Sequence, residues 1–271
     1  MTVEEFFEIF LIELKDNPDL QDYYKFLGNS SSFDFRKAYF TQRLQYIANQ
    51  IHEKDSAIWD CGCGFGTTCL FLAMNGYKTF GSTLEFYYKQ IDKRKEFWSK
   101  YGDTSLFTAS YENIFDNFPQ KESIDYIILQ DTLHHLEPID DALKIFKTSL
   151  KNNGKMILIE ENGNNLIQNT KLYLKRGNKK VISIWDEKLQ KNILLGNENI
   201  RSLNKWNNIF KRHNFNILQT SIQYIRFYFP QFYNNNIPEI IDKEQKIWKN
   251  NKFLKEYFFF GLNFVVIKNN K

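Results

Sequence analysis

Three glycines recur at every second position in Asp60-Cys61-Gly62-Cys63-Gly64-Phe65-Gly66, directly behind the apolar stretch Ala57-Ile58-Trp59. A turn of this kind works through its backbone. Glycine admits positive φ and puts no Cβ in the path of a ligand. A helix that starts at the last glycine directs free N–H groups and the positive end of its dipole at a polar or anionic group. The dinucleotide-binding fingerprint spaces its glycines G-x-G-x-x-G, and the G-x-G-x-G spacing found here does not fit it. Taken alone, the pattern also suits an ordinary tight strand-to-helix connection, so its neighbours must carry the argument further.

Three other groups offer side-chain chemistry. His134 and His135 are two of only four histidines, and imidazole titrates near neutrality, where it takes a proton from an attacking hydroxyl. One of the pair is expected to work and the other to cap or pack. Adjacent residues on one turn are expected to point apart, which argues against a metal held by both. Glu160-Glu161 ends a strand-like run. Neighbouring carboxylates there either bind a substrate and raise one another's pKa or face solvent as loop acids. Cys61, Cys63 and Cys69 are close in sequence, but zinc sites favour wider Cys gaps and need a fourth ligand. They read as small buried thiols of a reduced, cytoplasmic protein, with no metal site expected.

The elements that must position these groups follow a steady rhythm. Helical patterns cover about residues 3–15 and 34–52, with Ser32 or Asp34 available to cap the second. Strands are expected at 57–60, 77–82, 105–109, 124–130 and 155–160, the last introduced by the turn Asn152-Asn153-Gly154. Helices fall between them at about 67–75, in the charged stretch up to Lys100, and at 140–150. The strands are mostly continuous apolar runs, the signature of a parallel sheet covered on both faces. After Glu161 the rhythm breaks. A strand pair near 180–185 and 192–195, a helix at 203–213, a strand at 216–224, a polar helical insert at 231–256 and an apolar strand at 257–267 complete the reading.

On these elements, the glycine turn resembles motif I of the class I S-adenosylmethionine-dependent methyltransferases, D-x-G-x-G-x-G, which Asp60 to Gly66 match throughout. The resemblance runs in order over about residues 55–165 and more weakly to the end. It implies an α/β, Rossmann-like, seven-stranded, mostly parallel sheet with a reversed final hairpin. It also implies S-adenosylmethionine as the cofactor, cradled by Asp60, Gly62, Gly64 and Gly66. Where the family commonly has an acid after the second strand, this chain has Gly81-Ser82-Thr83-Leu84-Glu85. That is similar to the G-x-T-L variant of cyclopropane-synthase-like and tocopherol-methyltransferase-like members. It implies Thr83 and Leu84 beside the ribose, with Glu85 either supplying the carboxylate or serving as a helix N-terminal acid. The third strand ends at Ala109-Ser110-Tyr111 without the family's usual adenine-binding acid, which leaves Ser110 and the backbone of Tyr111 for that role. The segment Gln130-Asp131-Thr132-Leu133-His134-His135-Leu136 resembles the stretch after strand four in small-molecule methyltransferases. By that resemblance Gln130 lies beside the methionine moiety, and His134 and His135 lie near the transferred methyl. Arg201-Ser202-Leu203 resembles the start of a capped structural helix.

The domain reading is a single unit, 1–271: a helical cap over 1–52, a cofactor-binding core over 55–161, and substrate-covering inserts with closing strands over 162–271. With 36 basic and 32 acidic residues the net charge is a mild +4, which gives little support to a nucleic-acid binder. The start, MTVEEFFEIFLIELKDN, carries four glutamates and lacks the basic, uncharged-core pattern of a signal peptide. No run is long enough to span a membrane. Tyr23, Tyr24, Phe33, Tyr39, Tyr173, Trp185, Tyr224, Phe227, Tyr228 and Phe232 enrich the cap and its borders in aromatics. A small, fairly apolar or aromatic acceptor follows, with oxygen favoured over carbon or nitrogen as the nucleophile. The alternatives are an RNA or protein methyltransferase, drawing on the basic tracts 171–180 and 205–212, and a non-catalytic cofactor-binding partner subunit. The oligomeric state is left open, a homodimer included.

Overall fold

The computed structural model describes residues 1–28, 30–84, 86–233 and 236–269. The chain opens with helices α1 (Val3–Lys15), α2 (Pro18–Tyr24) and α3 (Ser30–Ala48). An alternating core follows: β1 (Ile58–Cys61), α4 (Thr67–Met74), β2 (Thr79–Thr83), α5 (Ile91–Trp98), β3 (Phe107–Tyr111), β4 (Ile124–Gln130), α6 (Ile139–Ser149) and β5 (Leu150–Glu161). The remainder comprises α7 (Leu166–Arg176), β6 (Val181–Asp186), β7 (Lys191–Gly196), α8 (Leu203–Arg212), β8 (Phe215–Ile217), β9 (Gln223–Ile225), α9 (Ile237–Asn250), α10 (Lys252–Phe258) and β10 (Gly261–Lys268). Among the described residues, no helix is long and apolar enough to cross a membrane.

The main sheet runs β3-β2-β1-β4-β5-β10-β8, and β9 adds an eighth strand by pairing with β10. β1 to β5 are mutually parallel, while β10 is antiparallel to β5, β8 and β9. The expected mostly parallel sheet with a reversed closing strand is therefore present, one short strand larger. Consecutive residues of the central strands enter opposite layers, as the strand period of two requires. Ile58, Ile128 and Ile157 pack with Phe6, Phe10 and Leu70 on one face. Trp59, Ile127 and Leu158 pack with Phe146, Trp206 and Phe210 on the other. Burial on both faces is why these strands read as unbroken apolar runs.

Several boundaries depart from the sequence reading. α3 starts at Ser30 and ends at Ala48, so Ser32 and Asp34 lie inside it rather than at its cap. The turn expected at Asn152-Asn153-Gly154 is absorbed into β5, with a register shift opposite Ile124 and Tyr126. The single strand expected at 216–224 is split into β8 and β9 by a 3-10 turn at Gln219–Ser221. The closing strand begins at Gly261, because Asn251 caps α10 by accepting from the Leu254 N–H at 2.9 Å and draws Tyr257 and Phe258 into that helix. Two helices, α2 and α7, were not expected from the sequence; Leu20 and Leu172 are their only buried residues. Ser202 caps α8 as expected.

α1 begins with a capping box in which the Thr2 side chain accepts from the Glu5 N–H and the Glu5 carboxylate accepts from the Thr2 N–H. Its buried face is Phe6, Phe7, Phe10 and Leu14, with one acid, Glu13, among them. Glu13 grips Arg94 of α5 with both oxygens at 2.8 Å and also accepts from Trp98 Nε1 at 2.9 Å. Arg94 is fully buried and donates further to the Phe65 carbonyl at 2.9 Å and to Thr67 Oγ1 at 2.7 Å. One guanidinium thus ties α1 and α5 to the end of the glycine turn.

Breaking a buried, fully hydrogen-bonded ion pair from one side costs about 3–5 kcal/mol because the remaining charge is stranded. Glu13→Ala should lower the urea-unfolding free energy by about that much. Asp242→Ala, which removes an exposed i,i+4 partner of Lys246, should leave the midpoint nearly unchanged. Equal effects of the two variants would show that the buried pair does not anchor α1.

Candidate active site

The glycine turn is pinned to β2: the Gly62 and Cys63 N–H groups both donate to the Ser82 carbonyl, at 2.8 and 3.1 Å. The backbone has positive φ at Gly62, Gly64 and Gly66. The three glycines serve different purposes. A Cβ on Gly62 would lie 2.3 Å from Thr132 Oγ1, and one on Gly66 would lie 2.6 Å from the Phe107 ring. A Cβ on Gly64 would meet nothing within 4 Å. Gly62 and Gly66 are therefore required by packing, whereas Gly64 opens the backbone to incoming atoms. Below the turn, Asp60 is buried, and only its Oδ2 is engaged, by the Cys69 thiol at 3.4 Å; Oδ1 has no partner. Burial pushes the Asp60 carboxyl up to about 7, with the Cys69 contact working against the rise. An open backbone beside an orphaned carboxylate oxygen fits the S-adenosylmethionine expected from the sequence. The three cysteines are free and buried, and burial raises their thiols above the usual range.

Parallel register brings the other expected cofactor residues to the same edge. Cys61 pairs with Ser82, Ser82 with Ser110 and Thr83 with Tyr111. Thr83 is buried at the end of β2, and Leu84 follows it half-buried. Glu85 lies outside the described residues. The Ser110 hydroxyl donates to Glu112 Oε1 at 2.6 Å, and the Glu112 N–H donates to the Thr83 carbonyl at 3.1 Å. An acid is thus present beside Ser110 after all, two residues later than the family pattern suggested. Glu112 was missed because an acid just past a strand looks like a surface loop. The Tyr111 hydroxyl donates to Asp186 Oδ2 at 2.8 Å, and Lys188 stands 4.0 Å from the Tyr111 ring centroid. The β6–β7 hairpin therefore reaches over the end of β3. Gln130 Nε2 donates to Thr68 Oγ1, joining the end of β4 to the first turn of α4.

His134 and His135 lie on a 3-10 turn, Leu133–His135. Glu160, at the end of β5, is its anchor. Glu160 Oε1 accepts from the Leu133 N–H at 2.8 Å and Oε2 accepts from His134 Nδ1 at 2.6 Å. Burial disfavours a charged His134, but Glu160, Asp131 and Glu198 outweigh it and raise the imidazole to about 9, so it is a cation at neutral pH. His135 Nδ1 donates to the Gly196 carbonyl at 2.8 Å. A carbonyl only accepts, so the tautomer is set and Nε2 carries the lone pair of the neutral ring. The expectation that the two rings diverge is corrected: their centroids are 4.2 Å apart. One nitrogen of each ring and a Glu198 oxygen lie within 4.8 Å of one another. The rings converge because Glu160 and the β7 backbone hold them from two sides.

Neither glutamate ending β5 is a solvent-facing loop acid. Glu161 pairs with Arg226 at 2.7 Å, both about 15% exposed. Beside it, Asp131 pairs with Arg43 of α3 at 2.7 Å. Burial would raise the Asp131 carboxyl, but Arg43 overrides it and holds it below the usual range. For Glu161 burial wins over Arg226, and the carboxyl lies above that range. In sequence, Arg43 and Arg226 look like ordinary surface residues of a helix and a loop.

This arrangement can be set against known proteins. A model of the family described as a methyltransferase domain matches residues 33–220, more than two thirds of the chain. The chain belongs to the methyltransferase-domain family. The methyltransferase is similar in fold to a SAM-dependent methyltransferase from Methanosarcina mazei, with a TM-score of 0.56 and 16% identity over 83% of this chain and 98% of that one. It is also similar to phosphoethanolamine N-methyltransferase 2 of Haemonchus contortus, with a TM-score of 0.57 and 14% identity over 92% of this chain and 60% of that one. No curated protein matches the sequence.

The raised Asp60 carboxyl makes a signed prediction for the methyltransferase. Its folded value of about 7 lies above the unfolded value, so the stability it supports is fully present below about pH 4 and is lost as pH rises through 7. The loss amounts to about 4 kcal/mol at most. Asp60→Asn cannot ionise and should match the parent near pH 4 and exceed it in unfolding free energy at pH 8. Parallel pH profiles for the two proteins would refute the assignment.

Proposed function

We propose that this methyltransferase transfers the methyl group of S-adenosylmethionine to a small organic acceptor, with a hydroxyl oxygen the favoured nucleophile. The observation that carries the reading is the open backbone at Gly64 together with the orphaned oxygen of Asp60 at the start of the same turn. The Haemonchus protein was solved in complex with S-adenosyl-L-methionine, which supports the same cofactor here. Asp60 and the turn at Gly62, Gly64 and Gly66 would hold the cofactor's methionine end together with Gln130. Thr83, Leu84 and Glu85 would border its ribose. Ser110 and Tyr111, now joined by Glu112, would border its adenine. When bound, S-adenosylmethionine supplies a methyl group already activated on a sulfonium.

The protein's own share is to orient the acceptor, exclude water and accept a proton. His135 is the proton acceptor, because its Nδ1–H is spent on Gly196 and its Nε2 is left free to act as the base. His134, held cationic by Glu160, positions the turn and sets its charge. The β6–β7 hairpin, α3 and α9 supply the cover that keeps water from the edge.

Two variants test this. Gly64→Val should abolish S-adenosylmethionine binding in calorimetry, by filling the cradle and straining a left-handed position; retained affinity would mean that this turn is not the site. His135→Asn should lower kcat by about 10²–10⁴-fold with the acceptor returned by a small-molecule screen, with cofactor affinity unchanged. A fall in cofactor affinity with kcat preserved would count against His135 as the base.

A further inference from the structure

At the carboxyl edge of the sheet, four charged side chains close around one aromatic ring. The Cζ atoms of Arg43 and Arg226 stand 4.6 and 4.3 Å from the Tyr39 ring centroid. Arg43 also donates to the Tyr39 hydroxyl at 2.8 Å. Each guanidinium has a carboxylate partner, Asp131 for Arg43 and Glu161 for Arg226, yet neither pair is complete. Arg43 Nε and Arg226 Nε donate to nothing, and Asp131 Oδ1 and Glu161 Oε2 accept from nothing, although all four atoms are buried. Buried polar atoms in folded proteins are nearly always paired. Two orphaned donors and two orphaned acceptors thus gather in one cluster.

Two further observations locate the cluster functionally. Asp131 and Arg226 both have left-handed backbone, with φ of 50° and 63°. Residues with side chains enter that region at a cost, and such residues gather at ligand sites. Asp131 follows β4 and Glu161 ends β5, on the side of a parallel sheet where ligands bind. Asp131 and Glu161 both feel the charge of His134, so the cluster borders the histidine turn.

The signs of the orphaned atoms restrict what fits. A purely anionic group would satisfy the guanidiniums but leave Asp131 and Glu161 unpaired and repelling it. A purely cationic group would do the reverse, and an apolar group would leave all four atoms unpaired. Resting on the methyl-transfer reading above, we propose that Tyr39, Arg43, Asp131, Glu161 and Arg226 recognise the head group of the acceptor. On this proposal the acceptor is a small amphoteric molecule of the amino-acid class, bearing both a carboxylate and a protonated amine. The carboxylate takes the Nε–H donors of Arg43 and Arg226. The amine donates to Asp131 Oδ1 and Glu161 Oε2, and the rest of the molecule extends toward His135.

The test titrates the protein's complex with S-adenosylhomocysteine with the common amino acids and, for each, its decarboxylated amine and its deaminated acid. At least one amino acid should bind, and its amine and acid counterparts should bind about tenfold more weakly or worse. Arg43→Gln and Arg226→Gln should each weaken that amino acid by about tenfold or more with cofactor affinity unchanged. The double variant Arg226→Gln with Glu161→Gln leaves no stranded charge and should show the same loss if the single variant does not fold. Counterparts that bind as tightly as the amino acid, or variants that leave its affinity intact, overturn the inference. So does the absence of any amino-acid binding while the cofactor binds normally; each of these leaves the methyl-transfer reading standing. A chain that does not bind S-adenosylhomocysteine overturns both.

Discussion

A guanidinium with no exposure to water sits where three parts of the molecule meet. Arg94 takes both oxygens of Glu13 from α1, the carbonyl of Phe65 from the glycine turn and the hydroxyl of Thr67 from the first turn of α4. The last contact extends to Tyr24, whose hydroxyl is 2.7 Å from Thr67 Oγ1, so α2 joins the same network. A buried charge of this kind is tolerated only because its partners are in place. The shape of the glycine turn therefore depends on the N-terminal helices being docked. The aromatic layer of Phe6, Phe10, Phe40 and Trp98 provides the apolar burial that keeps them there. Burying those rings contributes stability, while the ion pair at their centre contributes position.

The rest of the site follows from parallel register. With β1 at the centre and β2, β3, β4 and β5 ordered around it, the residues ending each strand arrive at one edge: Cys61, Thr83, Tyr111, Gln130 and Glu161. Two kinds of environment share that edge. Around the glycine turn the side chains are sparsely paired and the backbone is open. Around β4 and β5 charges are dense, and carboxylates meet cations within hydrogen-bonding distance. Glu160 mediates between fold and chemistry, since one oxygen holds the backbone of the histidine turn and the other holds His134. The hairpin β6–β7 closes the arrangement from above through Gly196 and Asp186.

Features that reside in a short stretch of chain were legible beforehand. The glycine spacing, the apolar runs of β1 and β4, the capped start of α8 and the β6–β7 pair all depend on neighbours in sequence, and all were found close to their expected positions. Boundaries that depend on competition between adjacent elements were not. Tyr257 and Phe258 read as strand because apolar aromatics suit either state; the cap at Asn251 decides for helix. α2 and α7 were missed, since each buries only one side chain. Glu13, Glu112, Arg43, Arg94 and Arg226 carry much of the electrostatics, yet in sequence they resemble any other surface charge.

From its residues alone this protein reads as an α/β sheet with an open glycine turn at Asp60–Gly66, because φ freedom, spacing and apolar periodicity are local properties of the chain; the resemblance of that turn to motif I is what implies a methyltransferase. The tertiary structure alone decides which charges are buried and with whom. Glu13 finds Arg94 across 81 positions, and Arg226 finds Glu161 across 65. Coulomb energy and desolvation depend on distance in space, and no sequence spacing encodes them. The same reason separates the two histidines: side by side in the chain, they become a buried cation and a tautomer-fixed ring only once β5 and β7 have folded against them.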